Sequence, residues 1–325
     1  MHREHSAFSL RLPATSANLG AAFDTAAIAL DFGLEIEAAP AAEFSIEASG
    51  RNVAECSRLD DNLILETYRS LLRREGRLVQ PLAIRMQNQI PLGMGCGSSA
   101  AGRLAAIALA AHFGALGWSG ERVLAEGVAQ EGHPDNAAAC WYGGLVVAAG
   151  RAENDPEPKL PFVSIAPPPG WSAVIVLPAR PLATSQARAV LPESYSRADV
   201  VANLQAAALL APAFAGARAD LLAAATRDRL HQPWRAAICP LLDPLLPLVG
   251  QNDVLSVTLS GAGPSVLLIV RAGSTKATEA IHDALGAAGW QLGQDYELLS
   301  AQFAPIGAGK DAGFPSIVTE SRSDS

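Results

Sequence analysis

From Phe8 to Leu12 apolar and polar residues alternate, and the alternation stops at Pro13, which predicts a strand entering a loop. The same two-residue period recurs in Ala27–Leu30, Leu34–Ala38 and Phe44–Ala48, so the first part of the chain is rich in strands. Asp60 and Asp61 then offer a helix start before Asn62, and the apolar positions Leu63, Ile64, Leu65, Tyr68, Leu71 and Leu72 follow a helical period until Gly76. Pro81 to Met86 reads as a further strand. After it comes a glycine-rich segment, 91–102, which overlaps a long alanine-rich helix from about Ser98 to Phe113, ended by Gly114. Leu145 to Ala149 is an apolar strand. In the second half the pattern predicts strands at Ala173–Leu177, Val254–Leu259 and Val266–Val270. Helices are expected near 184–190, 197–211, 217–230 and 276–289. Segregated strands followed by mixed strands and helices indicate an α+β protein.

Between 151 and 170 lie Pro156, Pro158, Pro161, Pro167, Pro168 and Pro169, a surface connection that places a lobe boundary near 160. The expected division is a first lobe over 1–160, a second over 161–306, and a tail over 307–325 whose glycines, serines and mixed charges predict disorder. Half of the residues are apolar, but alanine supplies many of them and polar residues interrupt every stretch, so the pattern predicts no membrane span. The start carries no apolar block of a secretion signal, and the expected compartment is the cytoplasm. With 24 basic and 32 acidic residues the net charge is −8, the wrong sign for general nucleic-acid or anionic-membrane binding, so an anionic ligand has to be held locally. Cys56, Cys96, Cys140 and Cys239 are widely separated and show neither zinc spacing nor a disulfide framework.

The run Pro91-Leu92-Gly93-Met94-Gly95-Cys96-Gly97-Ser98-Ser99-Ala100-Ala101 carries the most chemistry. Glycines at alternate positions let the backbone turn with positive φ and approach a ligand, and the serines and alanines open a helix whose free amides and dipole favour an anion. No Gly-Lys-Ser/Thr follows at Walker spacing, and Ser98 stands where a dinucleotide fingerprint needs its third glycine. The whole run resembles the phosphate-binding motif of the GHMP kinases, with Cys96 where most members have leucine. That resemblance implies a two-lobe GHMP kinase fold, with a ribosomal protein S5 domain 2-like N-terminal lobe and a ferredoxin-like C-terminal lobe. It further implies that residues 91–101 bind ATP and that Ser98 or Ser99 reaches Mg²⁺.

Two further segments resemble the family in order: Pro13-Ala14-Thr15-Ser16-Ala17-Asn18-Leu19-Gly20 continuing to Phe23-Asp24-Thr25, and Leu259-Ser260-Gly261-Ala262-Gly263-Pro264-Ser265. Glu131-Gly132-His133-Pro134-Asp135-Asn136 narrows the likeness to the homoserine kinase branch. Its carboxylates and histidine lack the partners that would complete a zinc site. The resemblance implies instead that Glu131 lies near Mg²⁺, with Glu126 as the weaker rival, and that Asn18, Asp24 and His133 face an amino-acid substrate. An α-carboxylate calls for a bidentate cation, and the family-like runs around Arg188 (184–192) and Arg235 (231–235) supply two. The activity implied is ATP-dependent phosphorylation of L-homoserine in threonine biosynthesis, with a homodimer as a further family expectation. Two alternatives stay open at this point: a GHMP kinase acting on mevalonate or shikimate, and a non-catalytic ATP-binding sensor.

Overall fold

A computed structural model describes residues 7–150 and 160–311. The expectations for residues 1–6, for the stretch holding Pro156 and Pro158, and for the tail beyond 311 lie outside the described residues. The first part contains strands β1 (Phe8–Ala17), β2 (Ala26–Pro40), β3 (Ser45–Gly50), β4 (Leu82–Asn88), β5 (Leu145–Ala148) and β6 (Phe162–Ile165). Its helices are α1 (Val53–Cys56), α2 (Leu63–Arg74), α3 (Ser98–Phe113), α4 (Gly120–Glu131) and α5 (Asp135–Tyr142). The second part contains β7 (Trp171–Pro178), β8 (Val254–Leu259), β9 (Val266–Arg271) and β10 (Tyr296–Ala301). With them come α6 (Thr184–Ala189), α7 (Arg197–Ala215), α8 (Ala219–Ala225), α9 (Gln232–Arg235), α10 (Leu242–Leu245) and α11 (Thr275–Ala287), and α12 (Ala308–Asp311) closes the described chain.

β2 organises the first sheet: β1 pairs along its length on one side, and β4 and β5 pair with opposite ends of the other. Two expected strands, 27–30 and 34–38, are therefore one strand running through Gly33. β1 also does not stop at Pro13. The missing N–H is absorbed by a register shift between Pro13 and Thr15, after which pairing resumes to Ala17. In the second sheet all neighbours are antiparallel in the order β10-β7-β9-β8. Read along the chain this is fourth, first, third, second, the arrangement of a ferredoxin-like lobe.

α3 buries Leu104, Ile107, Leu109 and all of its alanines, so it is apolar and packed around most of its circumference, with Ser99 and Arg103 on the remaining face. Alanine lets α2, α4, α5 and β1 close around it, and Leu104→Ala would cost about 2–5 kcal/mol through the cavity it leaves. α2 begins where Asn62, not Asp60 or Asp61, accepts from the amides of Ile64 and Leu65. The helix expected over 217–230 ends at Ala225, because the Asp228 carboxylate takes the amides of Leu230, His231 and Gln232 and turns the chain into α9. Within 151–170, β6 adds to the edge of the first sheet at Phe162–Ile165, so that sheet extends past residue 160. The tail does not lose its order at Gly307: α12 packs on α5, where Gly309 lies against the Trp141 ring too closely for a side chain. α7 is long and apolar enough to cross a membrane by length and composition. Its Leu210, Ala213 and Phe214 pack into the core, and Asn203 holds the Ala21 carbonyl at 2.7 Å.

Candidate active site

The order strand, glycine loop, helix places the N-terminus of α3 at the mouth of a cavity of about 270 Å³ between the two lobes. Gly93, Gly95, Gly97, Ser98, Ser99 and Ala100 line one end of it. Gly95 and Gly97 have φ of 75° and 73°, and neither site has room for a side chain: a Cβ would meet the Ser260 carbonyl at the first and the Thr15 hydroxyl at the second. The loop is thereby wedged between the N-terminal motif and the 259–265 turn. Ser260 Oγ donates to the Gly95 carbonyl, and the Thr15 amide donates to the Cys96 carbonyl. Residues of the run face alternate sides. Cys96 and Ala101 are buried in the core beneath the loop, Pro91 is buried, and Met94 packs against that core, so none of these four lines this cavity. Burial pushes the Cys96 thiol up to about 12, which keeps it a neutral packing group.

Beyond Gly93, Ser98 and Ser99 the space continues into a second cavity of about 400 Å³, lined by Leu34, Cys56, Asn62, Ile64, Met86, Asn88, Ile90 and Leu92. Of these only Leu92 was expected in a binding site from the sequence. Apolar walls with a few amides suit a flat heterocycle. The missed signal is that α2 and β4 are the two elements that precede the glycine loop in the chain.

The opposite end is built from side chains. Asn18, Leu19 and Asp24 all have positive φ (70°, 42° and 53°), a strained loop held from several directions. Asn18 is buried and engaged at both ends of its amide: its Nδ2 donates to the Gly261 carbonyl at 2.7 Å, and its Oδ1 accepts from the Asp24 amide at 2.9 Å. Asn18 thus ties the first motif to the 259–265 turn and aims Asp24. Asp24 receives both guanidinium nitrogens of Arg188, at 2.7 and 3.0 Å, and this pairing raises the Arg188 pKa.

Arg235 is 1% exposed, yet its partners are neutral. Nε donates to the Ala187 carbonyl at 3.0 Å, and Nη1 donates to His231 Nδ1 at 3.1 Å. Burial and the nearby Arg188 lower its pKa, but an arginine stays charged. His231 is buried with it and kept neutral by burial. Its Nε2–H donates to the Gly20 carbonyl at 2.8 Å, which leaves Nδ1 as the acceptor Arg235 needs. Phe23 stacks on the His231 ring, and both guanidinium carbons stand over it at 5.4 Å (Arg235) and 5.6 Å (Arg188). Phe23 and His231 therefore set the two arginines, roles that their positions in the motifs did not disclose.

His133 Nδ1 bonds Asp135 Oδ1 at 2.7 Å, and this bond, opposed by burial, raises the histidine pKa. Ligand atoms of Asp24, His133 and Asp135 lie within 4.8 Å of one another. Asp24 is already committed to Arg188, however, and two arginines line the same cavity, so the cluster suits a zwitterion better than a cation.

Near the phosphate end, Glu131 Oε1 accepts from Ser99 Oγ and from Arg103 Nε, each at 2.7 Å. Glu126 is engaged elsewhere. It is 5% exposed and bound by both nitrogens of Arg74 at 2.8 Å, and although burial alone would raise its pKa, these bonds leave it lowered. It does not line the cavity. A hydroxyl and a carboxylate together form the hard oxygen set that Mg²⁺ takes alongside nucleotide phosphates, so Ser99 and Glu131 fit that ion.

A family model described as the GHMP kinases N terminal domain matches residues 62–144. A homoserine kinase of Solibacter usitatus is 39% identical over 281 residues, covering 86% of this chain and 91% of that protein. One of Thermus thermophilus is 39% identical over 266 residues, covering 81% and 87% respectively. The crystal structure of homoserine kinase from Cytophaga hutchinsonii superposes with a TM-score of 0.76 at 22% identity, covering 94% of this chain and 98% of that one. L. major mevalonate kinase superposes at 0.64 with 14% identity, covering 93% and 98%, a likeness of fold alone. With relatives 39% identical over most of both chains, the chain belongs to the homoserine kinase family of the GHMP kinases.

Proposed function

We propose that the protein transfers the γ-phosphoryl group of ATP to the side-chain hydroxyl of L-homoserine, giving O-phospho-L-homoserine. The observation that carries this reading is one cavity with an anion cradle at one end and Asp24, Arg188, Arg235 and His133 at the other. The amides at the start of α3 receive the ATP phosphates, and the apolar cavity behind them receives the base. Asp24 takes the substrate ammonium, and Arg188 and Arg235 take its carboxylate. Asp24 and Arg188 satisfy each other before substrate arrives, so the zwitterion separates the pair and replaces each partner with its own opposite charge. Arg235, placed by neutral acceptors, needs no such exchange.

Ser99 and Glu131 are the residues that would hold Mg²⁺, which when bound neutralises charge on the phosphate oxygens. Ser98 lines the same wall. The protein's contribution to catalysis is in-line placement of the hydroxyl against the γ-phosphate and electrostatic support of spread negative charge. Among the described residues lining the cavity there is no lysine to complete an Asp–Lys base pair, so the hydroxyl proton leaves without a dedicated strong base.

A coupled assay of ADP release across L-homoserine, shikimate and mevalonate tests the reading. Release with homoserine is expected. Release only with mevalonate or shikimate, or with none of the three, would reject it.

A further inference from the structure

Arg103 was not part of any motif, yet it lines the phosphate end of the cavity and reaches the carboxylate that matters there. Glu131 is the last residue of α4, ahead of Gly132 with φ of 83°. A carboxylate at that end of a helix faces the negative pole of the dipole, so α4 neither stabilises its charge nor fixes its direction. The fixing comes from α3. Ser99 and Arg103 are four residues apart and therefore share one face of that helix. Both donate to the same oxygen, Oε1, at 2.7 Å. Among the described residues no hydrogen bond falls on Oε2. The Glu131 side chain is 10% exposed and that of Arg103 29%, so the contact is largely shielded from solvent.

We propose that Arg103 is a positioning residue for the metal: it holds Glu131 by Oε1 and so leaves Oε2 as the single oxygen offered to Mg²⁺. A small octahedral ion that keeps most of its other positions for water and phosphate is better served by one fixed carboxylate oxygen than by a mobile pair. Groups that hold a metal ligand from behind also raise affinity by reducing the reorganisation that binding requires. The inference rests on Mg²⁺–ATP binding at this wall, as proposed above.

The test is calorimetric binding of ATP to the full chain, with and without Mg²⁺, for wild type, Arg103→Gln, Arg103→Lys, Glu131→Gln and the Arg103→Gln/Glu131→Gln double variant. Arg103→Gln should leave metal-free ATP affinity nearly unchanged and weaken Mg²⁺–ATP by about 10–100-fold, the usual range for losing such a support. The Mg²⁺ concentration for half-maximal ADP release should rise with it, while KM for homoserine stays put. Arg103→Lys should recover part of the loss, and the double variant should be no worse than Glu131→Gln. An unchanged Mg²⁺ requirement overturns the proposal. So does an equal loss with and without Mg²⁺, which would mean that Arg103 touches the phosphates directly. Additive losses in the double variant would overturn it as well. Because binding is read directly, a wild type that fails to phosphorylate homoserine would reject the assigned reaction without deciding this point.

Discussion

The two ends of the cavity are built by different means. At the end proposed for the phosphates the groups on offer are backbone amides from one contiguous run, 93–99, and close approaches at Gly95 and Gly97 leave no room for side chains. At the end proposed for the amino acid the groups on offer are side chains from four distant segments, at 24, 133, 188 and 235, and their geometry is set by a network that includes Asn18, His231 and Phe23. A backbone site tolerates almost no change of residue at its close approaches. A side-chain site divides its work among members that can be removed one at a time, with separable consequences.

Gly95→Ala is the harshest test of that difference. The left-handed backbone alone costs an alanine about 1–2 kcal/mol, and the new methyl also drives into the Ser260 carbonyl. Loss of measurable ATP binding, together with a lowered melting temperature, is expected by calorimetry and circular dichroism. Retention of wild-type ATP affinity would show that the wedge between loop and turn is not needed.

Next in size is Arg235→Met. Removing a buried cation placed for a carboxylate should lower kcat/KM for homoserine by about 10³-fold, within the range for truncating one partner of a desolvated charged contact. Steady-state kinetics should show KM for ATP unmoved. A comparable loss in both substrates would place Arg235 in the general architecture of the cleft and blur the distinction between the two ends.

Arg188→Met should cost less, about 10–100-fold in kcat/KM for homoserine, because its guanidinium is partly solvated. It also leaves Asp24 without a counter-ion in the free protein. A loss larger than that of Arg235→Met would reverse the ranking of the two arginines.

The smallest effect is reserved for Glu126→Gln. It weakens the Arg74 contact by about 1–2 kcal/mol, seen in a denaturant titration, and leaves the Mg²⁺ requirement of ADP release unaltered. A shifted Mg²⁺ requirement would move the metal role from Glu131 toward Glu126.

Sequence by itself determined the α+β class, the position of α3 to the residue, and the cradle at its N-terminus. The turn and the helix start are local matters: alternate glycines and a serine pair before an alanine-rich helix permit a left-handed turn and open the helix, while the wedge against Thr15 and Ser260 is tertiary. It also pointed to the two arginines and Asp24 through short motifs. What it could not show was partnership. That Asp24 closes on Arg188 across 164 residues, that a neutral His231 aims Arg235, and that Glu126 belongs to Arg74 while Glu131 belongs to Ser99 and Arg103 are decided by which segments the two sheets bring face to face. The same holds for strands that pattern alone broke at Pro13 and Gly33. Only the tertiary pairing of β1 with β2 reveals that a register shift absorbs the proline and that the glycine lies inside one continuous strand. The direction of a side chain and the identity of its counter-charge are long-range facts, set by topology, and the period of apolar residues along a chain carries no record of them.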